Sequence, residues 1–424
     1  MRVLVVGGYG FIGRAIGETL LRRGHDVVGW GRSAALGRRL LPGANWIEGD
    51  LEQMRDPAAW HAALNDVDAV VNASGALQDG AGGSLAQIQG RAIVALIDAC
   101  AAAGIKAFVQ ISAPGAALDS DTRFMATKAV ADAHLIESAL RWTILRPALV
   151  IGRNAYGGTA LVRALAALPI ALTVHGRSPV QCVALDDVAA ICAQALEGAL
   201  PPHTDLALAA TEWLSLREVV AAHRHWLGLP PARFACDLPA WCAAPFALAA
   251  DLAGWLGWRS PLRSTALRVM QDGVTIDAPP AAVPPFAPLD AILARNPAGA
   301  QDRVAARMFL LLPVILLALA ALWIGSGVVG LLNTSRAAGL IGGGTTTERL
   351  VQACSAIDLL LGGAILVQSW ARRAAIAMVV VSAAYLICGT LVAGSLWADP
   401  LAPLLKIIPA LALALVAAAM LDRR

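Results

Sequence analysis

The sequence predicts two fold classes in one chain: an α/β domain with a doubly wound parallel sheet, then an all-α bundle of four transmembrane helices. Three observations predict this. Short apolar runs alternate with helix-length stretches over residues 1 to about 275. A proline-dense segment follows at 276–303. Beyond it, residues 304–424 hold long stretches without charge. Bulk composition agrees: 58% of the residues are hydrophobic and 15% charged, where a soluble domain carries about 25% charge.

The apolar runs read as buried parallel strands in the order "RVLVV", "HDVVGW", "DAVVNAS", "KAFVQIS" and "WTILRPALV". Helical stretches lie between them at 12–23, 85–103 and 126–140. Strand–helix alternation implies a sheet covered on both faces. "SLREVVAAHRHWLG" reads as a helix of a smaller lobe. In 276–303, Pro279, Pro280, Pro284, Pro285, Pro288 and Pro297 block helix and strand interiors, which reads as a semi-rigid connector.

Four apolar segments follow, at about 308–332, 350–370, 374–397 and 400–421. A span needs ~20 residues. Arg303, Arg307, Arg372, Arg373, Arg423 and Arg424 fall on one side of these segments, and Arg336 and Arg349 on the other beside Glu348. The positive-inside rule then gives a multi-pass protein of the cell (inner) membrane with both termini cytoplasmic. The opening "MRVLVVGG" reads as a buried strand, not as a leader.

A net charge of +3 argues against a nucleic-acid partner, and no basic run with interleaved aromatics occurs. The seven cysteines are scattered without a CxxC, which fits reduced thiols. HExxH, GxSxG and P-loop patterns are absent. His223 and His225 are two apart on an expected helix, so they face different ways and form no joint metal site.

"VLVVGGYGFIGRAIGETLLRRG" places Gly7, Gly10 and Gly13 after a strand and at the start of a helix. In that context the glycines have distinct uses. Gly7 permits a tight turn, Gly10 a close backbone approach to a pyrophosphate, and Gly13 close helix–strand packing. The helix N-terminus, with Phe11 and Ile12, supplies free N–H groups and a positive dipole. The second strand ends "DVVGWGRS" without the acidic residue that binds a ribose 2′-hydroxyl. Arg32 follows it and Arg14 follows the third glycine. Arginine pairs with a 2′-phosphate, which favours NADP(H) over NAD(H); the other reading of both arginines is solvated surface.

Residues 1 to about 275 resemble an extended or atypical short-chain dehydrogenase/reductase. "GGYGFIG" is similar to the family's TGxxGxxG, with Val6 in place of the threonine. "GDL" matches the adenine position through Asp50 and Leu51. "NASG" brings Ala73, Ser74 and Gly75 to the turn after the fourth strand. "QIS" sets Ser112 at the catalytic serine's place, "LRPALVIG" matches through Arg146 and Pro147, and "VALDDVA" through Asp187. The resemblance implies a Rossmann fold that binds NAD(P) through these residues and through Lys128.

It also exposes a departure. In the family a tyrosine four residues before the lysine gives or takes the proton; here "TRFMATKAVAD" has Phe124. Phenylalanine keeps the ring and loses the acid, a loss worth typically about 10²–10⁴-fold in rate. NmrA-like regulators and the NADPH-holding accessory subunit of respiratory complex I share that loss, and the chain resembles those branches. Tyr156 in "GRNAYGG" is the candidate replacement acid, with packing as its other reading.

Residues 304–424 resemble a DoxX-like four-helix membrane domain, on "MFLLLPVILLALAALWIGSGVVGLL" and "AIDLLLGGAILV". That family has a loose link to quinone and sulfur redox chemistry. Two charges fall inside expected spans, Asp358 and Lys406, at comparable depths of ~12 Å and ~8 Å. They are expected to pair across helices, with a proton or ligand site as the alternative. Gly325, Gly327, Gly330, Gly362 and Gly363 are expected at close helix contacts.

Two functions follow as expectations. One is a membrane-anchored NADPH-dependent oxidoreductase acting on a hydrophobic carbonyl or a quinone. The other is a non-catalytic NADPH-binding sensor, structural element or assembly factor for a membrane complex. A membrane-protein partner and a homo-oligomer both remain open.

Overall fold

Alternate side chains of the first strand, β1 (Arg2–Val6), go to opposite faces of the sheet. Val3 and Val5 join a cluster with Ile16 and Leu20, while Leu4 and Val6 join another with Ile93 and Leu96. Each such fully buried aliphatic contributes roughly 1.5–3 kcal/mol. The computed structural model describes residues 1–76, 78–80, 83–276 and 285–421. Of the sequence features above, Pro279, Pro280, Pro284, Arg423 and Arg424 lie outside the described residues.

The other strands of the main sheet are β2 (Asp26–Gly31), β3 (Asn45–Glu48), β4 (Ala69–Asn72), β5 (Ala107–Ile111), β6 (Trp142–Pro147) and β7 (Thr204–Leu208). All pairings are parallel, in the order β7-β6-β5-β4-β1-β2-β3. Helices cover both faces, as the alternating pattern predicts. α1 (Phe11–Arg22) packs on one face, and α2 (Ala92–Ala102) and α3 (Arg123–Glu137) on the other. α4 (Leu185–Leu196) joins α1 through Val188, Ile191 and Cys192. Strand order reverses between β1 and β4, which opens a crevice at their carboxyl ends.

Two helix starts differ from the sequence reading. α3 begins three residues early because the Thr122 hydroxyl accepts from the Met125 N–H at 3.4 Å. The stretch before α2 is a π-helical turn, Ala86–Arg91. The proline-dense segment is also not connector throughout. Leu289–Ala294 forms a helix whose Leu289, Ile292 and Leu293 are buried with Leu216, Val219 and Val220. Their spacing gives it one apolar face.

The chain divides into two units, Met1–Asp251 with Ser260–Ala306 and Leu252–Arg259 with Arg307–Arg424. In the second, the long helices are α5 (Ala300–Leu332, which starts in the first unit), α6 (Thr345–Ala364), α7 (Gln368–Val392) and α8 (Pro403–Met420). Leu319, Trp323, Ile365, Ala375, Met378 and Ala414 form its core. Leu317, Val329, Leu360, Val380 and Leu391 are exposed, an apolar exterior suited to lipid. α5, α7 and α8 are long and apolar enough to cross a membrane. α6 has helical length but carries Glu348, Arg349 and Asp358, so it is less apolar than the other three.

Only some of the glycines act as expected. A Cβ on Gly362 would lie 2.7 Å from Ile324 Cγ1, and one on Gly327 2.6 Å from the Ser355 carbonyl. α5 and α6 therefore meet at backbone distance. Gly325 and Gly363 face open space. The expected Asp358–Lys406 pair does not form. Asp358 accepts from Ser326 Oγ at 2.7 Å and from Tyr385 OH at 2.8 Å, and Lys406 is exposed. Hydroxyls from two neighbouring helices reach the carboxylate first. Residues 252–259, read as part of the first domain, belong to the helical unit. There Trp258 Nε1 donates to the Leu366 carbonyl at 2.6 Å, and the Gln368 N–H to that of Leu256 at 3.0 Å.

Candidate cofactor and active site

The crevice at the strand-order reversal is lined on one side by the turn from β1 into α1. Gly7 has φ +76°, and a Cβ there would lie 2.9 Å from the Ala73 carbonyl and from the backbone of Ser74. Only glycine fits both the dihedral and the contact. Gly10 caps α1 with no side-chain hydrogen bond, so the first-turn N–H groups stay available. A Cβ on Gly10 would lie 3.0 Å from the Gly7 carbonyl, and one on Gly13 would overlap that oxygen. Phe11 and Ile12 pack against the core beneath the turn. A bare helix N-terminus behind a side-chain-free turn is a cradle of the right chemistry for a pyrophosphate.

The loop after β4 abuts this turn. Asn72 holds it: its Oδ1 accepts from the Ser74 N–H at 3.1 Å and from the Ser74 hydroxyl, while its Nδ2 donates to Gln110 Oε1 at 2.8 Å. The Lys128 ammonium reaches this loop, 3.9 Å from where a Gly75 Cβ would be. Lys128 is buried, donates to the Ile111 carbonyl at 2.9 Å, and lies 5.8 Å from the Phe124 ring centroid. Burial pushes its pKa down to about 8, partly offset by Asp132.

Ser112 follows β5 and is also buried, but its hydroxyl is engaged. It donates to Asp132 Oδ2, and Arg146 Nη1 donates to it at 3.3 Å. Arg146 is paired with Asp132 at 2.9 Å and forks onto Asp205 at 2.9 Å through Nε and again through Nη2. Burial raises the Asp132 pKa, against the lowering effects of the Ser112 hydrogen bond, Arg146 and Lys128. Its Oδ1 is buried with no hydrogen-bond partner among the described residues. The sequence reading missed Asp132 and Asp205. Asp132 had a signal, since it lies one helical turn after Lys128 on the same face. Asp205 had none, because it meets Arg146 only through the pairing of β6 with β7.

The other expected residues are placed as follows. Arg14 Nε donates to Glu18 Oε1 at 2.7 Å, while Arg32 is exposed at the end of β2. Asp50 Oδ1 accepts from the Glu52 N–H at 3.2 Å, and the Leu51 carbonyl accepts from Gln87 Nε2 at 3.2 Å. Pro147 ends β6 and is buried. Tyr156 is half exposed, and its ring stacks on Phe11 at 6.4 Å, beside the glycine turn. His223 is fully buried and His225 exposed, on opposite sides of helix Leu216–Trp226.

Comparison with known proteins meets the same pattern. Residues 7–198 match the model of an NAD(P)H-binding family, and residues 320–415 that of a DoxX-like family. An NAD(P)H azoreductase of Xenophilus azovorans is 32% identical over 231 residues, 54% of this chain and 74% of that protein. The chain belongs to the NAD(P)H-binding family. A 2-alkyl-3-oxoalkanoate reductase of Stenotrophomonas maltophilia is 32% identical over 176 residues, 36% of this chain. The chain spans about half the length of that reductase (52%). A photosystem II assembly factor, Ycf39, of Synechocystis is 35% identical over 147 residues, 34% of this chain and 44% of that protein. This family member thus joins a nucleotide-binding α/β domain to a DoxX-like helical domain.

Proposed function

We propose that the protein is a membrane-anchored, NADPH-dependent reductase of a hydrophobic carbonyl or a quinone. One observation carries the reading: the glycine cradle and Lys128 converge on a single loop, Gly7 against Ala73–Ser74 and the ammonium beside Gly75. Gly7, Gly10, Gly13 and the α1 N-terminus hold the pyrophosphate, with Phe11, Ile12 and Arg14 around it. Arg32 meets the 2′-phosphate, and Asp50 and Leu51 the adenine. Ala73, Ser74, Gly75, Lys128 and Pro147 enclose the nicotinamide end. Bound there, the dinucleotide supplies a hydride. Lys128 holds a proton near neutral pH and, with its pKa near 8, can release it to a substrate oxygen. The Ser112–Asp132–Arg146 network keeps the pocket polar at this point and fixes α3 against β5 and β6.

The reductases among the relatives support this reading. The apolar helices and the arginine distribution support a bilayer anchor with the nucleotide domain in the cytoplasm. A lipid-soluble substrate fits such an anchor.

A second reading has its own observation. Phe124 offers no proton, and the Ser112 hydroxyl is already given to Asp132. On that reading the protein holds NADPH without turning it over, as a sensor, structural element or assembly factor. The assembly factor among the relatives supports it. NADPH oxidation by the full chain with a carbonyl panel and a short-chain quinone separates the two. The reductase reading expects turnover in the natural protein and a loss of about 10²–10⁴-fold in Lys128→Met. Turnover found only in Phe124→Tyr would establish the holding role.

A further inference from the structure

The helical unit has a cavity of its own, of about 280 Å³, lined by α5, α6 and α7. Its polar end is Asp358, with 5% of its surface exposed, whose two oxygens each accept one hydroxyl hydrogen bond, from Ser326 and Tyr385. Leu350, Val351 and Cys354 line it further along α6, four to eight residues before Asp358, together with Ile341 from the turn before that helix. Positions seven and eight before Asp358 are about two turns away, so the cavity runs ~12 Å along one stripe of α6. It has a carboxylate at one end and aliphatic walls at the other.

We propose that this cavity binds a small amphipathic cation, a protonated amine on an apolar body. Two observations select that chemistry. Burying a carboxylate requires compensation for its lost hydration. Ser326 and Tyr385 satisfy one lone pair on each oxygen but bring no positive charge, and the cavity lining has no Lys, Arg or His among the described residues. Lys406, the cation the sequence offers for this role, is exposed. An N–H⁺ donor at the Asp358 end supplies the missing charge and takes a remaining lone pair. The walls of Leu350, Val351 and Ile341 then cover the apolar body. A neutral ligand of the same shape gains the second interaction without the first. The site lies wholly in the helical unit and does not depend on the nucleotide reading.

The test uses the full chain in nanodiscs of uncharged lipid, with empty nanodiscs as the partition control. Three matched probes are titrated by calorimetry near neutral pH: 2-phenylethylamine, 2-phenylethanol and ethylbenzene. The proposal expects the amine to bind at least about ten-fold tighter than the alcohol, and the alcohol no weaker than ethylbenzene. Asp358→Asn keeps the shape and a hydrogen-bonding side chain, and is expected to erase the amine's advantage. Val351→Phe fills the apolar end and is expected to weaken the amine with Asp358 intact. An unchanged melting profile shows that both variants are folded. Equal binding of the three probes, absence of amine binding, or an amine preference that survives Asp358→Asn would each overturn the proposal.

Discussion

Lys128 is buried, and burial holds its pKa at about 8 against 10.5 for a free lysine. Between those values the unfolded chain binds more protons than the folded one, so this group's contribution to stability rises with pH across that window. Below pH 8 its full penalty is present, on the order of ~3 kcal/mol. Lys128→Met removes the penalty. Its melting temperature is therefore expected to exceed that of the natural chain near pH 7, and the gap to narrow toward pH 10. A gap independent of pH would mean that the lysine is not held in the strained charge state. Burial disfavours the charged form of Asp132 as well, and its pKa is raised. The carboxylate neutralises Arg146 where the two meet behind Ser112, with Asp132 buried and Arg146 mostly so. Asp132→Asn leaves that arginine with Asp205 and is expected to destabilise the fold by about 1–3 kcal/mol, the cost of one lost charged hydrogen bond, read from thermal or denaturant unfolding.

At the scale of elements, the turn from β1 into α1 and the α5–α6 contact both depend on absent side chains. Gly10→Ala puts a methyl where the cradle must be open, 3.0 Å from the Gly7 carbonyl. It is expected to weaken NADPH binding by about ten-fold or more while the far-ultraviolet circular dichroism stays unchanged. Gly362→Val forces atoms against Ile324 and Trp323 and is expected to lower the melting temperature of the helical unit, an overpacking effect of about 1–3 kcal/mol. The β1–α1 turn and the α5–α6 contact are legible in the sequence to different degrees. The β1–α1 turn announces itself, because three glycines between a strand and a helix have one common use. Strand–helix alternation is legible for a similar reason, since period-two burial such as Val3/Val5 against Leu4/Val6 leaves continuous apolar runs. Tertiary pairings are not legible in this way. Asp205 reaches Arg146 only once β6 and β7 are neighbours. Asp358 takes Ser326 and Tyr385 in place of Lys406 because three helices converge there. Residues 252–259 fall with the helices because Trp258 finds a carbonyl there, which no local pattern foretells.

For the whole molecule, the two units have separate chemistry, one a nucleotide cradle beside a buried lysine, the other an apolar bundle around a buried carboxylate. The proposed preference of the first for NADPH rests on Arg32. With no acidic residue at the end of β2, Arg32→Ala is expected to cut NADPH affinity about ten-fold and leave NADH affinity unchanged, measured by nucleotide fluorescence. The central claim is that the α/β unit holds NADPH at the β1–α1 turn. The most direct measurement is an equilibrium titration of the purified full chain in detergent with NADPH and with NADH, run beside Gly10→Ala. The account predicts saturable binding of NADPH, about ten-fold tighter than NADH and weakened about ten-fold or more in Gly10→Ala. Failure of the natural chain to bind either nucleotide, or equal binding by Gly10→Ala, would contradict it.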